Sequence, residues 1–247
     1  NHTITDLLSI VYQLDAIRTM HRTAVTKGWC FPTFTTDGKF VLRDFYHPQV
    51  KDAVKNDWDM ENGNICIFTG SNMAGKSTTL KAIASAVWLA HAGFPVPASS
   101  MVCPVFDGIF TSINLPDSLR DGRSHFYAEV LRVKKVAIEV SLSKRLVVIF
   151  DELFKGTNVK DAYDATFAVT SALTKRHACS FMISTHIIEV GQDLSKSCDN
   201  VTFAYLPTVM NGSVPTYTYK LEPGITNDKH GMIIINNERI VELIRAL

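Results

Sequence analysis

Apolar positions recur along the chain with two periods. Over residues 4–20, Ile4, Leu7, Leu8, Val11, Leu14, Ile17 and Met20 fall at helical spacing, and Thr3 or Thr5 is placed to cap them, so an amphipathic helix is expected. It is either a buttress packed on the downstream core or the stub of an arm from upstream domains. After Gly28 the pattern turns extended: residues 34–36 and 40–42 flank Asp37-Gly38 and read as a hairpin closed by Tyr46-His47-Pro48. A polar approach with Trp58 and Asn62-Gly63 comes next. Residues 65–68, 146–150 and 179–184 are apolar runs of strand length, and 102–106 and 109–113 also read as strands. Helical patterns over 80–92, 127–141 and 162–173 separate them, the first ended by Gly93 and the prolines Pro95 and Pro97. Late strands over 201–206 and 216–221 suggest a hairpin around Asn211-Gly212, and 238–247 a short terminal helix. Strands alternating with helices predict an α/β protein with a mostly parallel, helix-covered sheet.

Composition changes this picture little. With 247 residues, 46% hydrophobic and 20% charged, the chain can bury a sizeable core. A formal charge of +1 argues against a dedicated polyanion-binding domain within these residues. Arg132, Lys134, Lys135 and Lys144 read as a solvated face. The odd, scattered cysteines Cys30, Cys66, Cys103, Cys179 and Cys198 read as reduced thiols of a cytoplasmic protein, not as a disulfide or zinc framework. No run has the length of a membrane span, and no signal peptide is visible. The chain starts at Asn1 and not at Met, as a piece of a longer protein would.

The strongest chemical signal lies where the apolar run ending at Phe68 meets a turn. Gly70-x-x-x-x-Gly75-Lys76-Ser77 has the full Walker A spacing between a strand and a helix. Glycines let the backbone N–H groups of Ser71, Asn72, Met73 and Ala74 turn toward phosphate oxygens, and the helix opened by Lys76, Ser77 and Thr78 adds its dipole. Lys76 is expected on the phosphates of ATP and the Ser77 hydroxyl on Mg²⁺. Asp151-Glu152, delivered by the run 146–150, has the Walker B arrangement, in which Asp151 holds Mg²⁺ and Glu152 orients or deprotonates the attacking water. An isolated acidic pair would only complement a helix dipole. His186, after the run 179–184, stands where it can contact a γ-phosphate or its water.

Taken together these motifs resemble the MutS mismatch-repair ATPases. Residues 69–78, TGSNMAGKST, are similar to the family's TGPNMGGKST, with Asn72-Met73 the distinctive part. Phe94-Pro95-Val96-Pro97-Ala98 is similar to its F-V-P-A segment. Asp121-Gly122-Arg123-Ser124-His125-Phe126 with Glu129 resembles its signature loop, Asp151-Glu152-Leu153-Phe154-Lys155-Gly156-Thr157 its D-E-x-G-R-G-T, and Ser184-Thr185-His186 its T-H switch. The resemblance implies head-to-tail pairing with a second copy, Ser124 reaching the γ-phosphate bound by its partner, and DNA held by upstream domains. It also points to Trp58, His47 and Tyr219 as candidates for contact with adenine. The sequence departs from the family at Ala74, His125, Phe154-Lys155, Asn158 and Lys229-His230-Gly231, which places the chain in a divergent branch. The family's mismatch-reading Phe-x-Glu would lie upstream.

These readings combine into an expected fold of the P-loop NTPase type, ABC-ATPase-like, with an N-terminal helix as appendage. Residues 1–30 would end an upstream lever or clamp region and residues 31–247 would form the ATPase domain. The expected function is Mg²⁺-dependent ATP hydrolysis in a two-site homodimer that couples the ATP cycle to mismatched DNA. The alternatives are DNA remodelling or recombination control without mismatch recognition, a small-molecule kinase, and a nucleotide-binding module without hydrolysis.

Overall fold

The computed structural model describes residues 2–60, 63–113, 125–142, 144–211, 214–226 and 243–244. In chain order the elements are α1 (His2–Lys27), β1 (Thr33–Thr35), β2 (Val41–Phe45), β3 (Asn56–Asp59), β4 (Ile65–Thr69), α2 (Lys76–His91), β5 (Ser100–Pro104) and β6 (Gly108–Ser112). They continue with α3 (His125–Ser141), β7 (Leu146–Phe150), α4 (Val159–Leu173), β8 (Ser180–Ser184), α5 (Ile188–Ser197), β9 (Val201–Tyr205), β10 (Thr208–Asn211), β11 (Val214–Tyr217) and β12 (Glu222–Pro223). The chain divides into two compact units, Asn1–Asp59 with Ala82–Val105, and Met60–Lys81 with Phe106–Leu247.

The first unit holds a four-stranded sheet in the order β1-β5-β2-β3. β1 runs parallel to β5, while β2 is antiparallel to both β5 and β3. The hairpin expected over 34–36 and 40–42 therefore does not form. Asp37 does make a reversal, its carboxylate accepting from the Thr35 hydroxyl and the Lys39 N–H, but β5 lies between the two flanking strands. Phe40, Leu42, Trp58, Met101 and Cys103 are buried in this unit. α1 keeps the helical spacing read from the sequence and extends further, with Ile4, Leu7, Leu8, Val11, Leu14 and Ile17 exposed.

Burial pushes the Cys103 thiol from its ordinary value of 9.0 up to about 12. Between those values the unfolded chain has released a proton that the folded chain keeps, so stability falls as pH rises, by up to about 1.4 kcal/mol per pH unit. Urea unfolding across roughly pH 9 to 11 is expected to show a shallower decline for Cys103→Ala than for wild type. Equal slopes would show that the folded thiol ionises no later than the unfolded one.

The second unit is built on a six-stranded sheet in the order β12-β9-β4-β8-β7-β6. All neighbours are parallel except β12, which pairs antiparallel with β9 at the edge. Every residue of β4, β7 and β8 is buried, as strands covered on both faces must be, and this is why they read as largely apolar runs. Their side chains meet Val136 and Val140 of α3, Ala162 and Leu173 of α4, and Val190 and Leu194 of α5 in one core. α4 begins at Asn158, whose side chain accepts from the Asp161 N–H. α5 has no legible signal: no run of apolar residues marks it, and only Val190, Gly191 and Leu194 face inward. At the amino end of β4, the Asn64 amide donates to Arg176 O at 2.9 Å and accepts from the Asn200 amide at 2.7 Å. β10 and β11 form an antiparallel hairpin, with the second strand earlier than expected and Gly212 outside the described residues. Of the helix expected over 238–247, only 243–244 are described, and they are helical.

The pairing corrects the expected fold class. In place of an ABC-type P-loop NTPase built on one mostly parallel, helix-covered sheet with a helical appendage, the described residues form three sheets, two of mixed pairing and one antiparallel. The physical reason is visible in burial. β2 and β3 expose alternate or single positions, which suits antiparallel pairing with one wet face, whereas the wholly buried β4, β8 and β7 lie at the centre of the parallel set, flanked by the partly exposed β9 and β6. No helix among the described residues is long and apolar enough to cross a membrane.

Candidate functional site

β4, β8 and β7 are adjacent and parallel, so their carboxyl ends open on the same edge of the second sheet. Side chains following such strands converge where open α/β sheets usually place their chemistry. Three of the sequence motifs arrive there: the 70–75 turn after β4, Thr185-His186 after β8, and Asp151-Glu152 after β7.

The turn requires its glycines. Gly70 has φ 140° and Gly75 has φ 106°, a region L side chains rarely adopt. A Cβ on Gly75 would also stand 3.2 Å from Tyr219 Cδ1, and one on Gly70 would stand 3.3 Å from the Leu206 carbonyl oxygen. The turn is thus held between the segments around Leu206 and Tyr219. Ser71 Oγ lies 2.7 Å from Thr208 Oγ1 and adds a tie to the same side. Ala74 is buried, Ser71 and Ser77 are half-buried, and Asn72, Met73 and Thr78 are exposed, Met73 at φ 71°.

Lys76 opens α2 and is only 4% exposed. Its ammonium donates to Gly70 O at 2.7 Å and Ser71 O at 2.9 Å, so its partners are neutral carbonyls. Burial pushes its pKa below the ordinary value, and the Glu152 and Asp151 carboxylates pull it partly back. The first N–H groups of α2 have no partner within the helix, as at any helix start. A buried cation beside these donors suits a multiply charged anion.

The acidic pair is held by its own chain. Ser184 Oγ donates to Asp151 Oδ1 at 2.7 Å and accepts from the Glu152 N–H at 2.8 Å, while the Asp151 N–H donates to Ser112 O. Glu152 adopts φ 54°, and its carboxylate pairs with the Lys155 ammonium at 3.3 Å. Phe154, also at positive φ, turns inward and is buried, its ring 5.8 Å from that of Phe126. On β8, the Thr185 N–H donates to Phe68 O and its hydroxyl accepts from the Ile187 N–H, and His186 projects exposed.

The structure therefore gathers Gly70, Ser71, Ala74, Gly75, Lys76, Ser77, Asp151, Glu152, His186 and Tyr219 within the second unit. Tyr219 is half-exposed against Gly75. Trp58 belongs to the first unit, where it is 4% exposed and edge-on to Phe40 with centroids 4.9 Å apart. His47, in the same unit, accepts from the Gln49 N–H. Ser124, with Asp121 to Arg123, lies outside the described residues, as does Lys229-His230-Gly231. Sequence reasoning gives Ser184 no role of its own. The signal for it is a polar residue closing the apolar strand Ser180–Ser184. Thr208 and Leu206 carry no such signal.

The second unit is thus an α/β domain that collects a buried lysine, two carboxylates and a histidine at the carboxyl edge of its parallel strands. The chain belongs to the MutS family: the family model described as MutS domain V matches residues 66–244. That assignment replaces the ABC-type P-loop NTPase class expected from the motifs. The DNA mismatch repair protein MutS of Pseudothermotoga lettingae is 29% identical over 234 residues, covering 93% of this chain and 28% of that protein. The protein of the same name from Persephonella marina is 29% identical over 239 residues, covering 95% of this chain and 27% of that protein. For Bacillus cereus the values are 28% over 233 residues, 92% and 26%. The chain spans little more than a quarter of the length of these relatives.

Proposed function

We propose that the chain binds and hydrolyses ATP with Mg²⁺ as the ATPase portion of a MutS-like DNA mismatch repair protein. The observation that carries this is Lys76: a buried ammonium with two carbonyl partners, at a helix start, on the edge shared with Asp151 and Glu152. Lys76 would exchange its carbonyls for phosphate oxygens, a stronger charge-assisted contact. Ser77 and Asp151 would hold Mg²⁺, which when bound neutralises charge on the phosphates. One Asp151 oxygen is taken by Ser184 and the other has no hydrogen-bond partner among the described residues, which fits a cation ligand. No cluster of three or more His, Cys, Asp or Glu among the described residues could hold a metal. A magnesium shell of one carboxylate, one hydroxyl, phosphate oxygens and water needs none.

Glu152 would orient the attacking water and His186 would contact it or the γ-phosphate. The N–H groups of residues 71–74 would cradle the phosphates and Tyr219, against Gly75, would contact the base. Residues 31–247 would make up this ATPase, and 1–30 the end of an upstream lever or clamp region. A second copy would supply Ser124 in trans, and the ATP-dependent pairing would be coupled to DNA held by upstream domains, in the cytoplasm. A non-hydrolysing assembly module is the second reading, favoured by the Lys155 ion pair that occupies the Glu152 carboxylate.

Sedimentation with Mg²⁺-ATP tests the pairing. Wild type is expected to bind ATP and to shift toward dimer, and Ser124→Ala to bind ATP as wild type does but remain monomeric. ATP binding without any dimer at high protein concentration would remove the two-site mechanism, and no ATP binding would remove the nucleotide reading altogether.

A further inference from the structure

We infer that Ser184 is a positioning residue for the divalent cation, acting through Asp151; this rests on the nucleotide reading above and specifies how its metal site is set. Ser184 is fully buried at the end of β8, between β4, which leads through the 70–75 turn to Lys76, and β7, which the acidic pair follows. Its two hydrogen bonds fix the direction of its hydroxyl. The Glu152 N–H can only donate, so Ser184 Oγ accepts there, and its own proton goes to Asp151 Oδ1.

One atom therefore does two things. It orients the Asp151 carboxylate, leaving Oδ2 as the oxygen turned to other partners. It also anchors the N–H of Glu152 in the left-handed turn that a residue with a Cβ rarely adopts. Alanine at this position would leave a carboxylate oxygen and a backbone N–H without their partner. Hydrogen-bonding groups behind a metal ligand typically change metal affinity by about 10–100-fold when removed. A purely architectural Ser184 would instead lower stability and weaken nucleotide binding equally with and without metal.

The test is titration of a fluorescent ATP analogue into the chain in excess EDTA and in Mg²⁺, with melting temperature recorded for every variant. Wild type is expected to bind in both, more tightly with Mg²⁺. Ser184→Ala is expected to bind in EDTA within about twofold of wild type and to lose about tenfold of the Mg²⁺-dependent gain. Ser184→Thr, which keeps the hydroxyl, should recover most of it. Asp151→Asn should abolish the gain, with Ser184→Ala adding nothing on that background. A Ser184→Ala protein with the full Mg²⁺ gain overturns the inference, as does an equal loss in EDTA and Mg²⁺. Wild type that fails to bind the analogue in either condition overturns the nucleotide reading itself.

Discussion

Glu152→Gln is expected to lower ATP turnover by about 10²–10⁴-fold while leaving ATP affinity within about twofold of wild type. Glutamine keeps the size and one acceptor oxygen of the side chain but cannot take a proton from water. It also gives up the ion pair with Lys155, whose exposed partners contribute little to stability. The backbone turn at φ 54° is anchored through the N–H, which the substitution preserves. Phosphate release at saturating Mg²⁺-ATP, paired with a binding titration, reads the two quantities separately. Turnover unchanged in the variant would take Glu152 out of the reaction. No turnover in wild type, with tight ATP binding, would favour the non-hydrolysing module.

Lys76→Met should lower turnover and binding together, since Lys76 is both a catalytic and a phosphate-binding residue in this reading, with ATP affinity lowered by about 10–100-fold, the range for losing a charge-assisted hydrogen bond to a ligand. Folding should not suffer in proportion. The ammonium is buried with only carbonyl partners and its charged form is disfavoured there, so an apolar chain of similar length removes a desolvation cost. Denaturation without nucleotide is expected to show a stability equal to or above that of wild type. A variant that binds ATP normally would exclude Lys76 as a phosphate ligand. A variant that unfolds would mean that the two hydrogen bonds to Gly70 and Ser71 hold the turn together.

The elements nearest the chemistry are the most legible. β4, β7 and β8 announce themselves because strands buried on both faces are largely apolar, and one of the sequence motifs follows each of them. In the first unit the strand positions are legible and their partners are not. Asp37 does turn the chain, yet the local signal for a hairpin says nothing of a third strand, and β5, some sixty residues on, inserts between β1 and β2. α5 escapes because its inward face is short and interrupted by Gly191.

The amino-acid order alone was enough to specify the 70–77 turn, the acidic pair and their strand-to-helix settings, because these depend on backbone freedom, apolar runs and helix initiation among close neighbours. Folding in three dimensions settled which of these groups meet. The order β4-β8-β7 puts Ser184 against Asp151 and Glu152, and the return of the chain near Tyr219 closes on Gly75. It also set Trp58 in the core of the other unit. Such contacts join residues separated by 30 to well over 100 positions. They arise from strand pairing and the sharing of one buried core, neither of which leaves a periodic trace in the chain.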